Sequence, residues 1–163
     1  RDDVFEDIDD GRGTAFGTQT HEFAERYVLE GDVEPSNDDE RHIKSFLDSL
    51  DGELRVEEDA YLPLSVEGER VTISGIVDLV HIQPDSVEII DFKTILGRHA
   101  KEEYRKQLSV YYHVLDEWFP EREVTAGIFY TAQGNCVDID PMSKSKLVEL
   151  VTQKQRVETT SIN

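Results

Sequence analysis

Apolar residues follow two different patterns along the chain. In some stretches they recur every three or four residues, which is typical of amphipathic helices, whereas other stretches are short runs rich in Val and Ile. Turn-forming residues separate these stretches at 51–52, 67–69 and 83–86. The pattern predicts helices at 16–29, 39–50, 101–119 and 143–157, and strands at 54–66, 70–82, 87–95, 124–131 and 136–139.

The order of these elements is two helices, a meander of three strands, a helix, a strand pair and a last helix. This order favours an α/β domain in which helices cover a mixed sheet. A length of 163 residues suits one domain, so we expect 1–163 to form a single unit. Because the sequence begins at Arg1 and its only methionine is Met142, we expect this domain to be part of a longer chain.

The composition is strongly acidic, with 36 Asp and Glu against 17 Lys and Arg and a formal net charge of −19. The carboxylates are dispersed, which favours a surface adapted to molar salt over an acidic tail. No apolar run approaches the ~18 residues that a membrane-spanning helix needs. Cys136 is the only cysteine, which excludes a disulfide scaffold. We therefore expect a soluble, cytoplasmic domain from a halophilic source.

Two aspartates lie in the predicted strands on either side of the proline-containing turn. If these strands form a hairpin around that turn, Asp78 lies opposite Asp91, with Cβ atoms ~4.5–5.5 Å apart. Lys93 follows Asp91 by two residues and therefore points to the same face of the strand. Ile76 and Ile89 are expected to share this face, so the surroundings of the carboxylates are partly apolar.

Facing carboxylates repel each other unless a cation lies between them. The cation is either Mg²⁺ or Mn²⁺, since hard ions prefer oxygen ligands, or the ammonium group of Lys93 in a structural salt bridge. His21 lies at the edge of the apolar face of the first helix and is either a packed residue or a ligand. Gln107 lies on the apolar side of its helix between Tyr104 and Tyr111, and is either structural or functional.

Four short motifs contain these residues in a distinctive order. They are Gly17-Thr-Gln-Thr-His21, Gly75-Ile-Val-Asp78, Asp91-Phe-Lys93-Thr and Tyr104-Arg-Lys-Gln107-Leu-Ser-Val-Tyr111. Together they resemble the motifs of RecB-type nucleases, which belong to the PD-(D/E)xK, restriction-endonuclease-like superfamily. The resemblance is strongest to the nuclease modules at the C-termini of RecB, AddA and UvrD-like helicases.

The resemblance implies a restriction-endonuclease-like core, in which helices flank a mixed β-sheet, and metal-dependent hydrolysis of DNA. It implies that His21, Asp78, Asp91 and the backbone carbonyl of Phe92 bind Mg²⁺ or Mn²⁺. It also implies that Lys93 orients or activates the attacking water.

Two further features of the family bear on this chain. Gln107 and Tyr111 are implied to support the site and to contact DNA. The strand before the first aspartate often carries another acidic residue, for which Glu57 and Glu58 are both candidates. Cys136 alone cannot hold an iron–sulfur cluster, so cluster-bearing relatives are poor guides to this chain.

A local excess of positive charge runs against the acidic composition. Residues 93–106 contain five basic and two acidic residues, a net charge of +3. We expect Arg98, Lys101 and Arg105 to form a DNA-facing rim beside the metal site. The alternative is a solvated helix start with ordinary charge pairs.

Three functions are compatible with these residues. The first is an active deoxyribonuclease of exonuclease type, working in DNA repair or recombination with a helicase domain or subunit. The second is a catalytically silent, nuclease-like scaffold that binds DNA within a helicase complex. The third is an unrelated acidic binding domain with a structural salt bridge. The intact Asp78, Asp91 and Lys93 favour the first.

Overall fold

The helices and strands follow the predicted order. The structure is a computed structural model that describes residues 14–94 and 101–162, without the side chains of 101, 103 and 155–162. The helices are α1 (Thr14–Glu30), α2 (Asp38–Asp48), α3 (Lys101–Trp118) and α4 (Lys144–Ile162). The strands are β1 (Glu53–Val66), β2 (Glu69–Ile82), β3 (Ser86–Lys93), β4 (Glu123–Tyr130) and β5 (Asn135–Ile139). Every predicted element is present.

The five strands form one mixed sheet in the order β1-β2-β3-β4-β5. Neighbouring strands are antiparallel except β3 and β4, which are parallel because α3 crosses over between them. The α/β fold expected from the sequence is thereby confirmed. The register of β2 and β3 is also the predicted one, since Leu79 pairs with Ile90 and Val80 with Ile89. This pairing stops one position before the two aspartates.

Helices cover both faces of the sheet. Ile89 packs in a hydrophobic cluster with Leu108 of α3, whereas Ile90 packs in a second cluster with Phe23 of α1 and Ile43 of α2. Successive strand residues point to opposite faces, so the two clusters lie on opposite sides of β3. The sheet is therefore buried on both faces at its centre, where the aspartates are.

The hairpin of β1 and β2 changes its buried face half-way along its length. Val56 packs against the cluster of α1 and α2, whereas Ala60, also at an even position, packs in the cluster of α3. Between them Glu57 has a φ of 53°, a left-handed conformation that is uncommon for a residue other than glycine. Glu57 would pair with Asp78, but both are missing from an otherwise continuous ladder. The alternation of faces is interrupted at this point.

This change of face corrects one prediction. Ile76 was expected to share an inward face with Ile89, but Ile76 is 47% exposed while Ile89 is fully buried. Ile76 lies in the part of the hairpin beyond Glu57, where residues at even positions of β2 face outward. On β2, the predicted alternation holds only from Asp78 to the turn at 83–86.

Within the described residues, no helix is long and apolar enough to cross a membrane.

Candidate active site

Two strands and a helix meet at Asp78 of β2, which contacts Asp91 of β3 and His21 of α1. The Nε2 atom of His21 lies 3.0 Å from Oδ2 of Asp78. The backbone N–H of Asp78 donates to Oδ1 of Asp91 at 3.1 Å, and the N–H of Phe92 donates to Oδ2 of Asp78 at 2.8 Å. Carboxylates therefore accept hydrogen bonds from the backbone where the ladder between β2 and β3 stops.

Asp91 is buried, with 3% of its surface exposed. Burial raises its pKa to about 7, and the neighbouring charge of Asp78 adds to this shift. The positive charge of Lys93 acts in the opposite direction. A carboxylate in such surroundings is stabilised by a nearby cation.

His21 is held at both ring nitrogens. Its Nδ1 atom lies 2.7 Å from the carbonyl oxygen of Gly17, which can only accept, so Nδ1 carries the proton. Burial alone would lower the pKa of His21, but the hydrogen bond and charge of Asp78 outweigh it and raise the pKa to about 9. When the ring is neutral, the Nε2 atom that faces Asp78 carries a free lone pair.

Lys93 makes no ion pair with either aspartate, although all three side chains lie within the described part of the chain. Its Nζ atom lies 3.8 Å from the centroid of the Tyr104 ring, which is a cation–π contact. The structural salt bridge considered from the sequence is therefore not formed, and the ammonium group stays near the carboxylates without neutralising one of them.

The backbone of Lys93 is fixed by residues that the sequence did not indicate. The N–H of Thr131 donates to the Lys93 carbonyl at 3.0 Å, and the Thr131 hydroxyl donates to the buried Asp39 at 2.6 Å. The Nδ1 atom of His42 lies 2.7 Å from the carbonyl oxygen of Thr131, within hydrogen-bonding distance. Helix α2 thus anchors the end of β4 beside Lys93. Asp39 and Thr131 are 92 residues apart, so no spacing in the sequence relates them.

Glu57 is the acidic residue of β1 that approaches the site. Burial raises its pKa, and the charges of Glu25 and Asp78 raise it further. A hydrogen bond that the protonated carboxyl can form with Glu25 raises this pKa as well. Glu58, the other candidate, lies 3.8 Å from Arg55 instead. Sequence reasoning missed Glu25, although its position one helical turn after the histidine was a usable signal.

Gln107 was predicted to lie on the buried side of α3, but its side chain is exposed. The reason is a close approach of β2: a Cβ at Gly75 would lie 3.1 Å from the carbonyl oxygen of Gln107. The backbone of α3, rather than the Gln107 side chain, therefore packs against the strand at this level. The side chain makes no hydrogen bond to Asp78 or Asp91, so the structure does not bring it into their cluster.

Tyr111 lies in the hydrophobic core and is 2% exposed. Burial and the nearby charge of Glu58 raise the pKa of its hydroxyl. A side chain this deeply buried offers no surface for the implied contact with DNA, and the placement leaves Tyr111 the supporting role of packing α3 against β1.

The predicted basic rim is only partly described. Arg98 and the side chain of Lys101 lie outside the described residues. Arg105 donates from Nε to the carbonyl of Asp140 at 2.7 Å, and its guanidinium also lies 3.8 Å from Glu102 and 3.9 Å from the Asp140 carboxylate. At Arg105 the structure thus shows ordinary charge pairs, which was the alternative interpretation.

Phe92 contributes its backbone to the site and its ring to the core. The ring makes edge contacts with Phe46 and Phe129. The N–H points toward β2, as its bond to Asp78 shows. Because both backbone groups of a strand residue point the same way, the Phe92 carbonyl also faces the aspartates.

The donor atoms at this site are of the types that hard divalent ions prefer. Carboxylate and carbonyl oxygens suit Mg²⁺, and a neutral imidazole is accepted by Mn²⁺. Among the described residues, however, no group of three or more His, Cys, Asp or Glu side chains is arranged around a common point for a metal. The site residues hydrogen-bond to one another instead. The site therefore fits a divalent ion in the types of its donor atoms and not in their arrangement.

Comparison with known proteins gives one family. The family described as "PD-(D/E)XK nuclease superfamily" matches residues 35–160, a range that begins after α1. No curated protein matches the chain. Among solved structures 17 chains match, and one is the crystal structure of SSO0001, with 16% identity and a TM-score of 0.47. That match covers 64% of this chain and 50% of the other, so this chain spans about half of that protein.

Proposed function

The chain belongs to the PD-(D/E)XK nuclease superfamily, and we propose that it is a deoxyribonuclease that uses Mg²⁺ or Mn²⁺ to hydrolyse phosphodiester bonds. The observation that carries this proposal is the contact of Asp78 with both Asp91 and His21, next to an ammonium group that neither aspartate neutralises. Hydrolysis of a phosphodiester requires negative charge to be stabilised at the reacting phosphate, which the ammonium group of Lys93 and a divalent ion held by the aspartates would provide.

Each residue has a definite part in the proposed reaction. Asp78, Asp91, the Phe92 carbonyl and a neutral His21 would hold the ion. A bound divalent ion lowers the pKa of water and offsets charge on the phosphate. Lys93 adds a fixed positive charge and orients the attacking water, and Tyr104 keeps its ammonium group in place.

The biological setting is a further part of the proposal. The four motifs resemble those of helicase-linked nucleases, so we propose exonuclease-type cleavage in DNA repair or recombination, with a helicase domain or subunit as partner. The dispersed charge of −19 supports a halophilic source, and the proposed partner and substrate would place the protein in the cytoplasm. In molar salt, release of counterions adds little to DNA affinity, so delivery of DNA by a helicase fits this composition.

A second candidate function is a silent scaffold that binds DNA. It is favoured by one observation: His21 and Asp78 are hydrogen-bonded to each other rather than arranged as ligands. Cleavage separates the two candidates directly.

The test is a nuclease assay on end-labelled single- and double-stranded DNA with Mg²⁺, Mn²⁺ or EDTA, at low and molar KCl. We expect metal-dependent cleavage that Asp78→Asn abolishes, and mononucleotides or short products from one end if the enzyme is an exonuclease. DNA binding without cleavage by the unsubstituted chain would favour the scaffold. Calorimetric titration with the two metals adds a second readout, because His21→Ala should weaken Mn²⁺ more than Mg²⁺.

A further inference from the structure

A surface groove lies next to the aspartates along the β1–β2 hairpin. It has a volume of about 320 Å³ and is lined by Asp59, Tyr61, Ser74, Gly75, Ile76 and Gln107. Ile76 precedes Asp78 by two residues, which corresponds to about 7 Å along a strand. The groove and the candidate active site are therefore neighbours on the same strand.

Two of the side chains that line this groove are large, apolar and left exposed by the described residues. Tyr61 is 64% exposed and Ile76 is 47% exposed, which is high for side chains of this size. Tyr61 pairs with Ser74 and Asp59 pairs with Ile76, so Tyr61 and Ile76 are diagonal neighbours across the two strands. A flat aromatic face beside an aliphatic side chain suits a flat ligand.

The polar side chains of the groove decide which part of a DNA strand fits. They are a carboxylate, a hydroxyl and an amide, and none of the six described residues that line the groove is basic. Asp59 would repel a phosphate, whereas all three groups can bond to the edge of an uncharged base. Proteins that bind single strands commonly stack bases on aromatic rings and bond their edges in this way.

We propose that the groove binds one nucleobase of the DNA strand beside the phosphate that is cleaved, with Tyr61 as the stacking surface and Ile76 as its apolar neighbour. This inference rests on the proposed function. It also gives the acidic domain a source of affinity that does not depend on phosphate charge, and that persists in high salt.

The test measures steady-state cleavage of a single-stranded oligonucleotide by Tyr61→Ala and Tyr61→Phe. Trp118→Ala is the matched control, because Trp118 is an aromatic residue of similar exposure, 62%, at the end of α3. We expect Tyr61→Ala to raise KM about 10-fold with little change in kcat, as for loss of one stacked base. Tyr61→Phe keeps the ring and should recover most of the KM that Tyr61→Ala loses, whereas Trp118→Ala should stay within about 2-fold of the parent.

An abasic substitution in the DNA locates the base. Oligonucleotides with one abasic position at successive distances from the cleaved bond should show one position that raises KM as much as Tyr61→Ala does. At that position, Tyr61→Ala should add no further loss, since both changes remove the same contact. If the parent cleaves DNA and Tyr61→Ala changes nothing, or if the two losses simply add at every position, the base site is wrong and the nuclease assignment stands. If the parent cleaves no DNA, both are wrong.

Discussion

At the scale of single residues, the site depends on two carboxylates that accept backbone hydrogen bonds where the pairing of β2 and β3 stops. The Asp91 carboxylate receives the N–H of Asp78, and the Asp78 carboxylate receives the N–H of Phe92. Unpaired backbone groups in the middle of a sheet would be costly, so these bonds compensate for the missing pairing. The same bonds hold two like charges close together in a largely buried place, which is unfavourable without a cation.

Asp91→Asn should therefore remove cleavage and stabilise the metal-free protein. The pKa of Asp91 in the fold, about 7, lies above its ordinary value, so its ionisation costs stability as pH rises toward 7. In EDTA we expect the melting temperature of Asp91→Asn to exceed that of the parent by on the order of a few degrees at pH 8.5, and by less at pH 5.5. Asp116→Asn, an exposed change on α3, is the control and should show no such gain. A lower melting temperature for Asp91→Asn at pH 8.5 would contradict this account.

Lys93→Ala should lose cleavage by on the order of 10²–10³-fold with little loss of stability. The reason is that its ammonium group contacts the Tyr104 ring and forms no ion pair with the aspartates. The control is Lys44→Ala, because Nζ of Lys44 also lies over a tyrosine ring, 5.6 Å from the centroid of Tyr27, but pairs with Asp48 far from the site. Rates and melting curves are measured together. A Lys93→Ala variant that melts early and keeps its activity per folded molecule would identify Lys93 as structural.

The sequence could predict some of these residues and not others, for a physical reason. Asp78 and Asp91 follow from a hairpin whose turn fixes the register, since a strand alternates with a period of two. Thr131 and Asp39 could not be found in this way, because they meet only through tertiary packing of α2 against the end of β4. The resemblance implied that Tyr111 contacts DNA, whereas the helical spacing placed it on the apolar side with Tyr104, and the structure buries it in the core.

At the scale of elements, periodicity predicted every helix and strand, but not the change of face in the first hairpin. That change occurs at Glu57, whose φ of 53° is not signalled by its residue type, since left-handed positions favour glycine or asparagine. It places Glu57 next to Asp78 and leaves Ile76 exposed. The error about Ile76 and the undecided choice between Glu57 and Glu58 thus have one cause. The groove proposed to bind a base lies on the hairpin just beyond this point.

Glu57→Val tests whether the left-handed residue supports the site. A β-branched residue is strained at this φ, so we expect the free energy of unfolding to fall by about 1–2 kcal/mol and cleavage per folded molecule to fall as well. Glu67→Val is the matched control: Glu67 has a φ of 51° in the β1–β2 turn, far along the hairpin from Asp78. It should lose comparable stability and keep its activity. Equal activity in the two variants would show that the conformation at Glu57 serves the fold alone.

At the scale of the whole molecule, the net charge of −19 opposes both folding and contact with DNA. Several of the described basic side chains are paired with carboxylates of the same domain, as with Arg41 and Asp38, or Lys144 and Glu117. These pairings reduce the positive charge that the described surface offers to phosphates, which is why a base-binding groove and an attached helicase suit this surface. The repulsion among the remaining carboxylates has to be screened by the solvent.

Salt should therefore stabilise this protein well beyond the level at which screening is usually complete. The Debye length falls from about 10 Å at 0.1 M to about 3 Å at 1 M, so repulsion between neighbouring surface carboxylates continues to weaken through this range. We expect the melting temperature to rise steadily from 0.1 to 2 M KCl, and cleavage of short single strands to persist at 2 M. Sucrose at matched osmolality is the control, because it is excluded from protein surfaces but screens no charge. An equal rise in sucrose and in KCl would assign the effect to exclusion rather than charge, and a melting temperature that falls with KCl would remove the argument for a salt-adapted surface.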